Sequence, residues 1–122
     1  MPYANGVYAV TSLLTIVETP IYLARAERLM SEAERAQIVD LVAAAPDAGV
    51  LIRGTGGLRK LRIPLQGRGK RGGGRLIYWF HSERFPAVLL LVFAKNEAAD
   101  LSAEQRKLLA RAVEGLIEDL GG

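Results

Sequence analysis

The segment that decides the fold is GRLIYWFHSERFPAVLLLVFA, residues 74–94. Two apolar runs, Gly74 to His81 and Ala87 to Ala94, flank residues 82–86, which include turn-forming Ser and Pro. Both runs are rich in aromatic and branched residues and are short for helices, so each predicts a β-strand. The second run is apolar throughout, which predicts a central strand buried on both faces.

Two more strands are predicted on the N-terminal side of this pair. Leu58 to Pro64 alternates apolar and cationic residues, and Leu13 to Glu18 is a short apolar run. The pattern predicts four strands, of which the last three follow one another directly along the chain.

Helical signals fill the remaining sequence. A helical pattern runs from Pro20 to about Met30, and a second helix, ending at Pro46, begins with the capping box of Ser31 and Glu34. Ser102 and Gln105 repeat this signal before a last helix with one apolar stripe. The stripe contains Leu109, Val113, Leu116, Ile117 and Leu120.

The resulting order is β-α-α-β-β-β-α, an α+β fold. It has a mainly antiparallel sheet, an N-terminal helical hairpin and a C-terminal helix. At 122 residues the chain is predicted to form a single domain, spanning residues 13–122, with residues 1–12 as a leading extension.

Positive charge is concentrated in one part of the chain. Residues 48–82 hold eight Lys or Arg residues and no acid, whereas the rest holds eight cations and 13 acids. Local charges of +8 and −5 attract a polyanion to one region while the scaffold stays acidic.

Strand alternation places several of these cations. Lys60 and Arg62 share one face of their strand, and Leu61 and Ile63 share the other. On the next strand Arg75, Ile77, Trp79 and His81 share a face, with Leu76, Tyr78 and Phe80 opposite. The loop between the strands carries Arg68, Lys70 and Arg71 on glycines, which allow close approach of the backbone to a ligand.

Other functional classes are less compatible with the sequence. The chain has no cysteine and one histidine, which argues against a metal site. The string Gly67-x-Gly69-x-x-Gly72 leads into a strand rather than a helix, so it does not indicate dinucleotide binding. The longest apolar run, Ala87 to Ala94, is too short to span a membrane. A cytoplasmic protein without cofactors is predicted.

Three motifs carry a resemblance to a known family. GTGGLRKLR (54–62), GRGKRGGGRLIYWFH (67–81) and LLLVFAKNEAADLS (89–102), in this order and spacing, resemble the RelE superfamily of toxin–antitoxin toxins, in particular its HigB-like branch. The similarity extends from about Thr15 to Leu120. It implies a microbial-ribonuclease-like fold, mRNA cleavage in the ribosomal A site and neutralisation by a helix-turn-helix antitoxin, with DNA contacted only through that antitoxin.

The resemblance also implies functional residues. The family's cationic site matches Lys60, Arg62 and Arg75, and Lys95 falls where relatives place a further polar group. Asn96 stands where RelE members carry an arginine, and Leu101 falls where they carry a catalytic tyrosine, so no proton-transfer residue is assigned. The predicted catalytic residues are Lys60, Arg62, Arg75 and Lys95, and the predicted RNA-binding residues are Arg59, Arg68, Lys70, Arg71, Tyr78 and Asn96.

RNA cleavage by a 2′-OH needs proton removal, stabilisation of phosphorane charge and protonation of the leaving oxygen. The basic region offers no carboxylate, so charge stabilisation by cations is the expected mechanism, with a lysine of lowered pKa as one possible base.

Simpler interpretations exist for each signal. The basic loop can be a solvated connection, Lys60, Arg62 and Lys95 can be surface residues, and Tyr78 and Trp79 can stack on bases or pack in the core. His81 is predicted to be a turn residue rather than a catalytic one. Two alternative functions are a non-catalytic nucleic-acid-binding module and a gyrase-poisoning relative of the same fold.

Overall fold

The computed structural model describes residues 14–65, 73–95 and 101–119. Its elements are the strands β1 (Ile16–Glu18), β2 (Val50–Leu51), β3 (Leu58–Ile63), β4 (Gly74–Trp79) and β5 (Ala87–Ala94), and the helices α1 (Pro20–Leu29), α2 (Glu32–Ala44) and α3 (Ala103–Asp119). The predicted leading extension, residues 1–12, lies outside the described residues.

The strands form one five-stranded sheet in the order β1-β5-β4-β3-β2. β1 pairs with β5 in parallel, and the other neighbours are antiparallel. The predicted α+β class with a mainly antiparallel sheet is therefore confirmed. β5 lies inside the sheet and is buried on both faces, as predicted, although β4 is the middle strand.

The structure corrects the predicted number of strands and several of the predicted strand ends. β2 was not predicted, because two residues are too few to show any periodicity. β3 ends at Ile63 rather than at Pro64, and β4 ends at Trp79 rather than at His81. The aromatic run, residues 78–81, therefore extends beyond the end of β4.

The helices begin where their capping residues predict. The Glu34 N–H donates to Ser31 Oγ at 3.1 Å, and the Ser31 N–H donates to Glu34 Oε1 at 2.8 Å, which completes the capping box of α2. Ser102 and Gln105 make the same reciprocal pair, at 3.1 and 2.9 Å, before α3. In the described parts of the chain, no helix has the length and apolar character needed to cross a bilayer.

The two faces of the sheet carry two separate apolar clusters. The first joins α1 and α2 to one face and includes Tyr22, Val42 and Tyr78. The second lies on the other face, where α3 supplies Val113 against Leu58 and Trp79. α3 buries little else, since Val113 is the one buried residue of this helix. In the part of the chain that the structure describes, α3 is the single helix on the second face, and it leaves part of that face uncovered.

Candidate nucleic-acid interface

The register of β3 and β4 brings the predicted cations together. Lys60 lies directly opposite Ile77, and Arg62 lies directly opposite Arg75. Residues opposite one another in an antiparallel pair point to the same face, with Cβ atoms about 5 Å apart. Lys60, Arg62 and Arg75 therefore share the second face of the sheet, as the alternation predicted.

These cations line an open groove of about 550 Å³, called here the cationic groove. Its lining residues are Ala48, Val50, Lys60, Leu61, Arg62 and Arg75. None of these described lining residues is acidic. The groove lies at the edge of β3, because β2 pairs with Arg59 and Lys60 and, among the described residues, no strand pairs with that edge from Leu61 to Ile63.

Arg62 and Arg75 form an unusual cross-strand pair. Like charges directly opposite one another destabilise a sheet, so an anion between them would remove a repulsion as well as add attraction. Arg75 is only 8% exposed, and its Nη1 donates to the Gly74 carbonyl at 3.0 Å, whereas Arg62 is exposed. The pair thus combines one guanidinium held against the sheet with one that extends into solvent.

Lys95 lies at the same end of the sheet as this pair. It follows β5 directly and is exposed, and its backbone N–H donates to the Gly73 carbonyl at 2.9 Å. Arg68, Lys70, Arg71 and Asn96, predicted to bind RNA, lie outside the described residues.

Arg59, predicted to bind RNA, lies on the opposite face from Lys60. Its guanidinium Nη1 donates to the carbonyls of Asp47, at 3.0 Å, and Gly49, at 2.7 Å. Alternation along β3 directs this side chain to the face opposite to the cationic groove, so the structure does not bring Arg59 together with Lys60, Arg62 and Arg75, and its binding of RNA stays a prediction.

Tyr78 is corrected, because it is fully buried in the first cluster and cannot stack on a base. Its hydroxyl donates to the Pro46 carbonyl at 2.7 Å and accepts from the Gly49 N–H at 2.9 Å. Burial raises the pKa of Tyr78, and the hydrogen bond from Gly49 opposes part of that rise.

Arg59 and Tyr78 together fix residues 46–49, the turn that leads into β2. A Cβ on Gly49 would lie 2.9 Å from the Tyr78 hydroxyl oxygen, so glycine is required for this close approach. The turn carries Ala48 and leads to Val50, which form the apolar wall of the cationic groove. Sequence reasoning missed this wall, and the turn signal Pro46-Asp47-Ala48-Gly49 was the feature that could have shown it.

The other end of β4 has a different character. His81 is exposed, and its ring stacks on that of Trp79 with centroids 6.1 Å apart, and Phe85 lies beside both. From Arg75 to His81 the chain advances by six residues, roughly 20 Å at the rise of a strand. Leu101, in the family's tyrosine position, is buried in the second cluster. His81 is thus far from the cationic groove, in keeping with a turn residue.

Comparison with known proteins supports the fold. No protein-family model matches the chain. Among solved structures, the chain is similar to the free form of a double arginine-to-alanine mutant of the E. coli toxin RelE. The match covers 71% of this chain and 88% of that chain, with 16% sequence identity and a TM-score of 0.50. The chain has a RelE-like fold, as the sequence motifs predicted.

Proposed function

We propose that this protein is the toxin of a type II toxin–antitoxin system and an endoribonuclease that cleaves mRNA on the ribosome. The observation that carries the proposal is the meeting of Lys60, Arg62 and Arg75 in one groove with no acid among its described lining residues. Such a groove binds an anion, and on a RelE-like toxin fold the matching anion is the phosphodiester of RNA.

The geometry suits stabilisation of a transition state. Attack by a 2′-OH on the adjacent phosphate places extra negative charge on the phosphate oxygens. Arg75 is held against the sheet, so its guanidinium can contact two oxygens and bind more strongly as that charge grows. Lys60 and the exposed Arg62 add charge from the neighbouring strand. The proposed reaction needs no metal and no cofactor.

Outer residues would bind the RNA backbone. Lys95 follows β5 at the end of the sheet where Arg62 and Arg75 lie. The other residues proposed to bind the RNA backbone are Arg68, Lys70, Arg71 and Asn96. Each substitution that removes a cation bound to a phosphate should lower the slope of log K against log salt by about one.

Positioning of the mRNA by the ribosome would lower the reaction barrier in the cationic groove. The groove contains no carboxylate or histidine for proton transfer among its described lining residues. Orientation of the 2′-OH for in-line attack can lower the barrier by several kcal/mol, so activity should depend on mRNA bound in the A site. A helix-turn-helix antitoxin in the cytoplasm would neutralise the toxin and provide its only contact with DNA.

Primer extension on cellular mRNA after brief induction tests this proposal. Wild-type protein should produce cleavage at translated codons and a growth arrest that the neighbouring antitoxin gene reverses, and Arg75→Ala should produce neither. Growth arrest without cleavage would indicate a protein target, such as gyrase. Rapid degradation of naked RNA by purified protein, unchanged by programmed ribosomes, would contradict the proposed ribosome dependence.

A further inference from the structure

Val50 is an exposed apolar residue beside the cations of the groove. It pairs directly with Lys60 across β2 and β3, so both side chains point to the same face of the sheet. Val50 is 70% exposed and belongs to neither apolar cluster. Isolated exposed valines are common on protein surfaces, but this one lines a groove whose charged residues are all cations.

The surface around Val50 is fixed in place. The preceding turn is tied to the sheet by the Tyr78 hydroxyl and by the Arg59 guanidinium. A ligand can therefore contact Val50 and Ala48 without first ordering that turn, which reduces the entropic cost of binding. An apolar surface with a few convergent charged groups is the usual composition of a small-ligand site.

The spacing suits a ligand with an anionic group next to a flat apolar one. Val50 is separated from Arg62 by one strand spacing, about 5 Å, and by one two-residue step, about 7 Å along the strand. A nucleotide presents a phosphate and a base on one small unit, and the face of every base is apolar enough to lie on aliphatic carbon.

We infer that Val50 and Ala48 form the contact surface for the base of a nucleotide whose phosphate lies against Lys60, Arg62 and Arg75. The inference rests on the proposed function and assigns a base-binding role to residues outside the cation set. Because the contact is with the face of the base rather than its edge, it adds affinity with little preference among the four bases.

Binding of two matched probes tests the inference. One probe is a six-residue 2′-O-methyl oligouridylate, which lacks the attacking hydroxyl and is not cleaved. The other is the same backbone with abasic sugars, equal in length and charge. Wild-type protein at low salt should bind the uridylate about fivefold more tightly than the abasic probe, the scale of a small apolar contact.

Val50→Ser should remove this preference and leave affinity for the abasic probe unchanged. Val50→Phe should widen the preference, because an aromatic ring stacks on a base more strongly. Val17→Ser is the matched control, because Val17 is a 39% exposed valine on β1, the edge strand at the other side of the sheet. It should retain the wild-type preference.

Three outcomes would overturn the inference. A Val50→Ser protein with the wild-type preference would show that the base lies elsewhere, and an equal loss of affinity for both probes would show that Val50 acts on the fold of the groove. Failure of the wild-type protein to bind either probe would instead overturn the proposed nucleic-acid function, and this inference with it.

Discussion

The two ends of one sheet face differ sharply in this protein. At one end Leu58 lies opposite Trp79, and both are fully buried, whereas at the other end Arg62 lies opposite Arg75. Leu58 and Arg62 are on the same strand and the same face, about 13 Å apart by the rise of a strand. One pair of strands thus supports both an apolar core and a cationic groove.

The two ends of the sheet face differ because α3 and the turn at residues 54–57 cover the apolar end. Val113 of α3 packs over the apolar end, and the turn at residues 54–57 closes beside it. Gly57 has a φ of 118°, and a Cβ there would lie 2.9 Å from Trp79 Nε1, so this turn fits the indole closely. Stability is therefore expected to depend on the covered end and catalysis on the open end.

The largest expected effect is on stability at the covered end. Trp79→Ala removes a fully buried ring and the hydrogen bond from its Nε1 to the Gly56 carbonyl, at 3.1 Å. It should lower the free energy of unfolding by about 3–5 kcal/mol, measured by urea denaturation. Val17→Ala, at an exposed site, is the control. A loss below about 1 kcal/mol would show that α3 and the turn do not seal this end.

At the open end the expected effect is on the reaction. Arg75→Ala should reduce single-turnover cleavage on programmed ribosomes by ~10²-fold, about 2.7 kcal/mol, with ribosome binding nearly unchanged. His81→Ala, at the covered end, should cleave at close to the wild-type rate. Unfolding curves of both variants establish that they are folded. An active Arg75→Ala protein, or an inactive His81→Ala protein, would reverse the assignment of the two ends.

A smaller loss of stability is expected when the turn that carries the apolar wall of the groove loses its hydrogen bonds to Tyr78. Tyr78→Phe leaves the Gly49 N–H and the Pro46 carbonyl without their partner and should cost about 1–3 kcal/mol in urea denaturation. Tyr22→Phe is the matched control, because the Tyr22 hydroxyl is buried without a hydrogen-bond partner among the described residues. Its removal should cost close to nothing. Equal losses for both variants would contradict the role given to the Tyr78 hydroxyl.

The smallest effect is a pH dependence from the face covered by α1 and α2. Burial, and then the charge of Glu18, raise the pKa of Tyr22 from 10.0 to about 12. The folded protein therefore keeps this proton when the unfolded chain loses it, so the contribution to stability is complete below pH 10 and is lost as the pH rises from 10 to 12. At pH 11 the loss should be about 1.4 kcal/mol.

Tyr22→Phe should abolish this component of the pH dependence. The measurement compares urea denaturation of the two proteins between pH 8 and 11.5, so that titration of the lysines cancels in the difference. Parallel curves would show that Tyr22 ionises normally in the folded protein.

Local signals in the sequence predicted much of this fold. The two capping boxes and the period of two in β3 depend on neighbours within a few residues, so they can be recognised without tertiary information. For the same reason the shared face of Lys60 and Arg62 was predictable. β2 was not, because its two residues become a strand only through pairing with Lys60 and Arg59.

The contacts of Arg59 and Tyr78 could not be predicted from the sequence. Both are predicted to bind RNA, although alternation places each of them on the face opposite to the cations of the site, Lys60 and Arg75. What the sequence did not show is their partner, the turn at residues 46–49, which is 10 or more residues away from both along the chain. Hydrogen bonds over that separation depend on the folded chain.

Arg25 has a consequence for how this protein behaves in a crowded solution. β1 pairs only with the first part of β5, up to Leu89, and the Arg25 side chain donates from Nε to the Val92 carbonyl farther along, at 2.8 Å. The Arg25 side chain thus lies beside β5 at a position where the backbone of another strand would form hydrogen bonds. Because the Arg25 side chain occupies this acceptor, we expect α1 to hinder edge-to-edge pairing of β5, the longest strand of the sheet, with a second molecule.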